Sequence, residues 1–289
     1  MIVLIKQVGI VGGDLRIIRL AEMLIKENYK IYTYGLEKYN FNSDILKCKE
    51  IEEINNNCKY IISGIPFSKD EKYIYAPFSN KSINTNEVLQ ELTYKTLITG
   101  AVNENIKQVA KTSKVNIIDL MNIEELAILN VIPTAEGAIQ VAMEQTEFTI
   151  HNSKCLILGF GRIGKVLAKK LKALGAEVYC VARKESDLAW IKTFGYNGIH
   201  IDNLEENLEN RYDIIFNTIP TLVLDSKKLE LIKNKETLII ELASAPGGID
   251  FEKAKEYEIK TIKALGLPGK VAPITSAEYI KKTLEKILK

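Results

Sequence analysis

The sequence predicts an α/β protein made of two doubly wound parallel-sheet domains with a cleft between them. Short apolar runs alternate with amphipathic stretches in two successive series, which is typical of parallel strands covered by helices. A Gly-rich turn opens the second series, and a length of 289 residues suits two domains of ordinary size. We therefore expect two Rossmann-like sheets, of which the second binds a dinucleotide.

The first domain is predicted to span residues 1–132 and to be flavodoxin-like, with a substrate-holding role. Its strands are the apolar runs at residues 7–11, 30–34, 60–63, 96–99 and 116–120. Residues 15–26 and 103–112 repeat apolar side chains at the spacing of a helix. The sequence Gly12-Gly13-Asp14 is like half of a nucleotide loop that lacks its third glycine, and Asp14 is also well placed to cap the following helix.

A connecting helix is predicted at residues 133–150, within a longer helical stretch that Pro133 should break. The second domain is predicted at residues 151–274, with strands at 154–158, 177–181, 198–201, 213–217, 237–242 and 260–264. The C-terminal helix, residues 275–289, has one apolar face, so we expect it to pack back on the first domain.

Composition excludes several classes of function. With 46% hydrophobic and 26% charged residues the chain has the material for two folded cores, and a net charge of +2 is too small for a nucleic-acid or anionic-membrane binder. The sequence has no run of about 18 apolar residues without a charge, so no membrane-spanning helix is predicted. The four cysteines have no metal-ligand spacing with His151 or His200, so we predict no metal site and a cytoplasmic protein.

The strongest motif is Gly-rich and lies between a predicted strand and a predicted helix. It reads Gly159-Phe160-Gly161-Arg162-Ile163-Gly164. In a dinucleotide site the first glycine makes the turn, the second admits the pyrophosphate and the third lets the helix pack closely on the strand. The alternative is a packing motif that binds no ligand.

The end of the next strand favours NADP over NAD. Folds that bind NAD place a carboxylate there for the ribose hydroxyls, whereas this chain has Arg183, Lys184 and Ser186, which suit a ribose phosphate. NAD is the alternative, because Glu185 supplies a carboxylate in the same segment. Asn217 and Thr218 end a later strand and are predicted to line the cofactor with Pro220, which could instead be a simple turn former.

Three Gly- and Pro-rich segments, residues 133–137, 243–250 and 265–273, are predicted to be loops rather than helix or strand. Their Thr134, Ser244 and Lys270, together with Arg16 of the first domain, would suit an anionic substrate. Each loop could also be a connection without chemistry.

These motifs together resemble the A subunits of dipicolinate synthase from spore-forming bacteria. The resemblance rests on residues 12–14, 132–139, 158–164, 217–220, 242–248 and 266–273, and above all on the order of the P-T-A-E-G and G-L-P-G-x-V-A-P segments. Ala245 departs from it, because some relatives have a basic residue there. No carboxylate contact is therefore assigned at that position.

The resemblance implies an NADP-linked oxidation of dihydrodipicolinate, or of its hydrated precursor 4-hydroxy-tetrahydrodipicolinate, to pyridine-2,6-dicarboxylate. Arg16, Thr134, Ser244 and Lys270 would surround the carboxylates and Glu136 would accept the proton, although Glu136 could instead serve the helix dipole. The resemblance also implies a hetero-oligomer with a flavoprotein-like B subunit, in the mother-cell cytoplasm of a sporulating bacterium. We further expect a homo-oligomer.

Two rival functions remain open at this stage. A two-domain 2-hydroxyacid dehydrogenase shares the architecture but needs a C-terminal histidine in the cleft, where neither His151 nor His200 is expected. A non-catalytic NADPH sensor would need the Gly-rich loop alone.

Overall fold

The computed structural model describes residues 6–42 and 44–288. Residues 1–5 and Lys289, which the predicted first domain and C-terminal helix include, lie outside the described residues. The chain divides into two compact units, residues 1–130 with 272–289 and residues 131–271.

The first unit is a six-stranded parallel sheet with the order β3-β2-β1-β4-β5-β6. The strands are β1 (Gln7–Val11), β2 (Lys30–Tyr34), β3 (Leu46–Lys47), β4 (Tyr60–Ser63), β5 (Thr96–Thr99) and β6 (Asn116–Asp119). The helices are α1 (Leu15–Lys26), α2 (Ile51–Asn57), α3 (Thr85–Glu91), α4 (Glu104–Thr112) and α5 (Glu124–Leu129). Apolar side chains fill a core on each face of the sheet, because strands covered on both sides are apolar throughout.

The second unit repeats this plan with the order β12-β11-β10-β7-β8-β9. The strands are β7 (Lys154–Leu158), β8 (Glu177–Ala182), β9 (Asn197–His200), β10 (Ile214–Asn217), β11 (Leu238–Glu241) and β12 (Thr261–Lys263). The helices are α6 (Val131–Gln145), α7 (Arg162–Ala173), α8 (Glu185–Thr193), α9 (Leu204–Leu208), α10 (Ser226–Glu230), α11 (Phe251–Glu256) and α12 (Leu267–Val271). Two parallel sheets of the same doubly wound order confirm the predicted fold class.

The last helix, α13 (Pro273–Ile287), belongs to the first unit and packs against α1. Ala277, Ile280 and Leu284 lie in the same core as Ile17 and Leu24 of α1. The apolar stripe that the sequence shows at helical spacing is thus buried by another helix of its own unit.

Three local predictions are wrong, namely two loops and one helix break, and one strand was not predicted. Residues 133–137 and much of 265–273 are helical rather than loops, because Pro133 and Pro268 fall in the first turns of α6 and α12, where a missing backbone N–H costs nothing. The break between α5 and α6 is at Asn130 and not at Pro133. Strand β3 has only two residues, both exposed, so it leaves no periodic signal.

Among the described residues one helical stretch, Glu124–Gln145, has the length and mean hydropathy, 1.4, of a membrane span. Its apolar side chains lie in protein cores: Leu126 in that of the first unit, and Ala138 and Ile139 in that of the second. A core helix of a folded protein has the same composition.

Candidate functional site

The Gly-rich turn has the shape that a phosphate site requires. Gly159 follows β7 with a φ of +98°, and a Cβ on Gly164 would lie 2.1 Å from the Gly159 carbonyl oxygen, so neither position accepts a side chain. Gly161 precedes α7, no side chain caps that helix, and a Cβ at Gly161 would meet open space. The positive N-terminus of α7 is therefore open to an anion.

A cavity of about 470 Å³ lies beside this turn, at the carboxyl ends of β7 and β8. Of the predicted cofactor residues, Gly159, Phe160, Gly161, Arg183 and Lys184 line it. The rest of the lining was not predicted and consists of Val181, Ala182, Asp187, Ile201, Ile219 and the segment 221–223. Arg162 and Ile163 form the first turn of α7, and Gly164 is buried behind them.

Basic side chains flank one end of this cavity. Arg183 and Lys184 are exposed, and the Arg183 carbonyl oxygen lies 3.1 Å from His200 Nε2, which ties the turn to the end of β9. Asp187 is the carboxylate in the lining, and it pairs with Lys165 at 3.9 Å. Ser186 is exposed on α8 and does not line the cavity.

The end of β10 supports the cavity from behind. Asn217, which is predicted to line the cofactor, is fully buried, and its side-chain amide bonds to the backbone of Ile219 and to Glu241. Thr218 Oγ1 donates to the Leu158 carbonyl at 2.8 Å, and Pro220 is exposed. This segment thereby holds the turn at Gly159, whose Cβ position lies 2.6 Å from Thr218 Oγ1.

The predicted substrate residues Thr134, Ser244 and Lys270 lie on different elements and differ in exposure. Thr134 is half-buried in the first turn of α6, Lys270 is exposed on α12, and these two helices pack together. Ser244 is exposed in the turn after β11.

Arg16 offers no free cation to a substrate. Its side chain is 4% exposed, and its guanidinium bonds to the Asp14 carboxylate and to the Ile65 carbonyl oxygen. The sequence shows Asp14 only as a helix cap, and the contact with Ile65, 49 positions away, leaves no local pattern.

Glu136 is also engaged elsewhere. Its carboxylate accepts a hydrogen bond from Lys170 Nζ at 2.7 Å, on the exposed side of the α6–α7 pair. Lys170 is about 12 Å along α7 from the Gly-rich turn, at a rise of 1.5 Å per residue. This placement argues against Glu136 as the proton acceptor.

The corresponding turn in the first unit is closed. The amides of Gly12 and Gly13 donate to the carbonyl oxygens of Tyr34 and Tyr75, both at 2.8 Å. The Asp14 carboxylate accepts from the Arg16 amide at the N-terminus of α1, where a phosphate would otherwise lie. The half-motif Gly12-Gly13-Asp14 is therefore a capped helix start.

The remaining candidates are less informative. A larger cavity of about 570 Å³ lies at the opposite edge of the second sheet, around the starts of β10 and β11, away from the Gly-rich turn.

All four cysteines are buried and free, and burial raises the pKa of Cys155 to about 11 and that of Cys180 to about 12.

A doubly wound sheet with an uncapped Gly-rich turn defines a dinucleotide-binding protein of the dehydrogenase class. Comparison with known families agrees: residues 133–243 match the NAD binding domain of D-isomer specific 2-hydroxyacid dehydrogenases. Residues 7–121 match the N-terminal domain of the dipicolinate synthase A subunit.

Over nearly its whole length the chain is similar to dipicolinate synthase A subunits. It is 33% identical over 285 residues to the dipicolinate synthase A subunit of Bacillus subtilis, covering 98% of this chain and 95% of that protein. The crystal structure of the dipicolinate synthase A subunit from Bacillus halodurans superposes with a TM-score of 0.87 at 34% identity, covering 98% and 97% of the two chains. A shikimate dehydrogenase (NADP(+)) of Clostridium botulinum is 26% identical over 73% of this chain and 81% of its own length. The chain belongs to the family of dipicolinate synthase A subunits.

Proposed function

We propose that this chain oxidises dihydrodipicolinate, or its hydrated precursor 4-hydroxy-tetrahydrodipicolinate, to pyridine-2,6-dicarboxylate. Dihydrodipicolinate loses a hydride and a proton in this reaction, and the hydrated precursor first loses water. Aromatisation of the ring makes the oxidation favourable. The proposal is supported by sequence and structural similarity, over 98% of the chain, to proteins named as dipicolinate synthase A subunits.

The observation that carries the cofactor assignment is the cavity beside the uncapped N-terminus of α7, flanked by Arg183 and Lys184. Backbone amides of residues 161–164 would hold the pyrophosphate, and the two cations that line the cavity would hold a ribose phosphate. Ser186, exposed outside the lining in the first turn of α8, would reach that phosphate only from the solvent side. Asp187 would repel that phosphate less because Lys165 lies next to it. NADP is thus preferred to NAD, and when bound it supplies the hydride acceptor.

The substrate carboxylates are assigned to Thr134, Ser244 and Lys270. Thr134 and Ser244 offer hydroxyl donors, and Lys270 offers an exposed ammonium. Arg16 and Glu136 are left out because the structure pairs both with other residues of their own units.

We assign the NADP-binding role to residues 151–274 and take residues 133–150 as the connection. The first domain, residues 1–132, is assigned a substrate-binding role in addition to that of Thr134, Ser244 and Lys270, which lie outside it. We also propose a homo-oligomer that works with a flavoprotein-like B subunit in the mother-cell cytoplasm during sporulation. The family to which the chain belongs supports these assignments.

The test is to mix the purified chain with NADP⁺ and freshly generated dihydrodipicolinate, with and without the B subunit. NADPH is followed by absorbance and pyridine-2,6-dicarboxylate by chromatography. The control is Gly161→Asp, which places a carboxylate at the start of α7 in open space and should abolish NADPH formation without unfolding the chain.

Product from the chain alone places the chemistry in this protein, and product only with the B subunit means that catalysis is shared or activated in a complex. No product in either mixture contradicts the proposal. Turnover of a simple 2-hydroxy acid would then favour a 2-hydroxyacid dehydrogenase. Tight NADPH binding without any oxidation would favour a sensor.

A further inference from the structure

A buried carboxylate lies at the carboxyl end of β11. Glu241 is 2% exposed, and its Oε1 accepts from Asn217 Nδ2 at 2.8 Å and from the Ala243 amide at 2.9 Å. Its Oε2 accepts from the Gly248 amide at 2.8 Å. Lys263, the register partner on β12, holds its ammonium over the Phe251 ring, and no ion pair with Glu241 occurs in the part of the chain that the structure describes.

These bonds tie two loops to one strand end. The Gly248 amide belongs to the turn at residues 243–248, which carries Ser244. A Cβ on Gly248 would lie 2.4 Å from Asn217 Nδ2, so only glycine fits there. The Gly248 carbonyl accepts from the Val223 and Leu224 amides, and Val223 lines the cofactor cavity. Glu241 thus links the turn to the cavity wall.

The charge of Glu241 calls for an explanation beyond these bonds. A carboxylate buried without a cation loses more hydration free energy than a neutral group that accepts hydrogen bonds. In a doubly wound sheet the first half receives the adenosine side of a dinucleotide, so the carboxyl ends of β10 and β11, in the second half, face the nicotinamide side. The oxidised nicotinamide ring is positively charged and the reduced ring is neutral.

We propose that Glu241 holds the turn at residues 243–248 and that its buried charge makes the site bind the oxidised cofactor in preference to the reduced one. The inference rests on the proposed function, because it takes a nicotinamide dinucleotide to be the ligand. A site with this preference binds NADP⁺ before the reaction and releases NADPH after it.

The experiment compares dissociation constants of NADP⁺ and NADPH for the wild-type chain and for Glu241→Gln. Adenosine 2′,5′-bisphosphate, which lacks the nicotinamide half, is the third ligand. We expect E241Q to weaken NADP⁺ relative to NADPH by about fivefold or more, as removal of a nearby buried charge should, and to leave the bisphosphate within about twofold of the wild type. The matched control, Glu209→Gln, removes an exposed carboxylate of the same unit and should leave all three values unchanged.

Two further variants separate charge from structure. Glu241→Asp keeps the charge and should keep the ratio of the two dissociation constants, even if the shorter side chain loosens the turn. Ala245→Lys adds a cation at an exposed position of the same turn and leaves the hydrogen bonds of Glu241 in place. It should shift the ratio in the same direction as E241Q, so the proposal can be tested even if E241Q does not fold.

Equal weakening of NADP⁺ and NADPH in E241Q would mean that the carboxylate has a structural role only, and it would overturn the proposal. An unchanged ratio in both E241Q and A245K would overturn it as well. A wild-type chain that binds neither cofactor would instead overturn the proposed function.

Discussion

The two cations at the end of β8 should decide the preference for NADP over NAD. We expect Arg183→Ala with Lys184→Ala to weaken NADP⁺ binding and to leave NAD⁺ binding nearly unchanged. Both side chains are exposed, so each contact with a ribose phosphate should contribute at the upper end of what exposed ion pairs give, about 1 kcal/mol. Together they contribute about 2 kcal/mol, which is roughly a 30-fold change in the dissociation constant of NADP⁺.

The assay is a titration of the chain with each dinucleotide, followed by calorimetry or by quenching of protein fluorescence. Lys169→Ala is the matched control, because Lys169 is an exposed lysine of α7 outside the cavity. Added salt should weaken NADP⁺ binding to the wild type more than to the double variant, since exposed charges are screened.

The reasoning would be refuted by a double variant that loses NAD⁺ and NADP⁺ affinity by the same factor, because the two side chains would then act on a part common to both ligands. A wild type that binds NAD⁺ as tightly as NADP⁺ would refute it too. In that case the Asp187 carboxylate, which lines the cavity, would accept from the ribose hydroxyls despite its contact with Lys165.

Four other outcomes are expected. Calorimetry should give one dinucleotide per chain, and two would show that the turn at Asp14 opens. Glu136→Gln should keep at least about half of the wild-type turnover in the steady-state assay, because the carboxylate is held by Lys170 and the loss of this exposed ion pair costs only about 1 kcal/mol of folding stability or less. A loss of activity in a folded variant would restore the catalytic role. Arg16→Ala should lower the free energy of unfolding of the first unit in urea by about 3 kcal/mol, because the buried Asp14 loses its cation, and should leave NADP⁺ affinity unchanged. A decrease below about 1 kcal/mol would mean that the pair is not buried in solution. The native thiols of Cys155 and Cys180 should not react with a disulfide reagent at pH 8, and fast labelling of the native chain would contradict their burial. Because folding raises the pKa of both thiols, the free energy of unfolding should fall as the pH rises above about 9.

Local patterns were enough to predict the fold and the Gly-rich turn. The strands are apolar runs bounded by turn residues. Gly159 is required by its own positive φ, and a Cβ on Gly164 would meet the carbonyl oxygen of Gly159, a few positions earlier in the chain. Arg16 was predicted to bind substrate and Glu136 to accept the proton because contacts between distant residues do not show in a local pattern. Arg16 bonds to the Ile65 carbonyl, 49 positions away, as well as to neighbouring Asp14, and Glu136 bonds to Lys170, 34 positions away. Glu241 was not singled out, since in the sequence it is only a polar end to an apolar strand.

The two units show how one architecture can be closed or open to an anion. Both have the same strand order, and in both a helix begins just after the first strand of the sheet. At α1 the positive helix end is satisfied from within, by the Asp14 carboxylate, while the glycine amides before it are used by two backbone carbonyls. At α7 the equivalent place is held by Gly161, which brings no charge and no side chain, so an anion must come from a ligand. A carboxylate at Gly161 would give the second unit the internal anion of the first, which is why Gly161→Asp should remove dinucleotide binding while leaving the sheet intact.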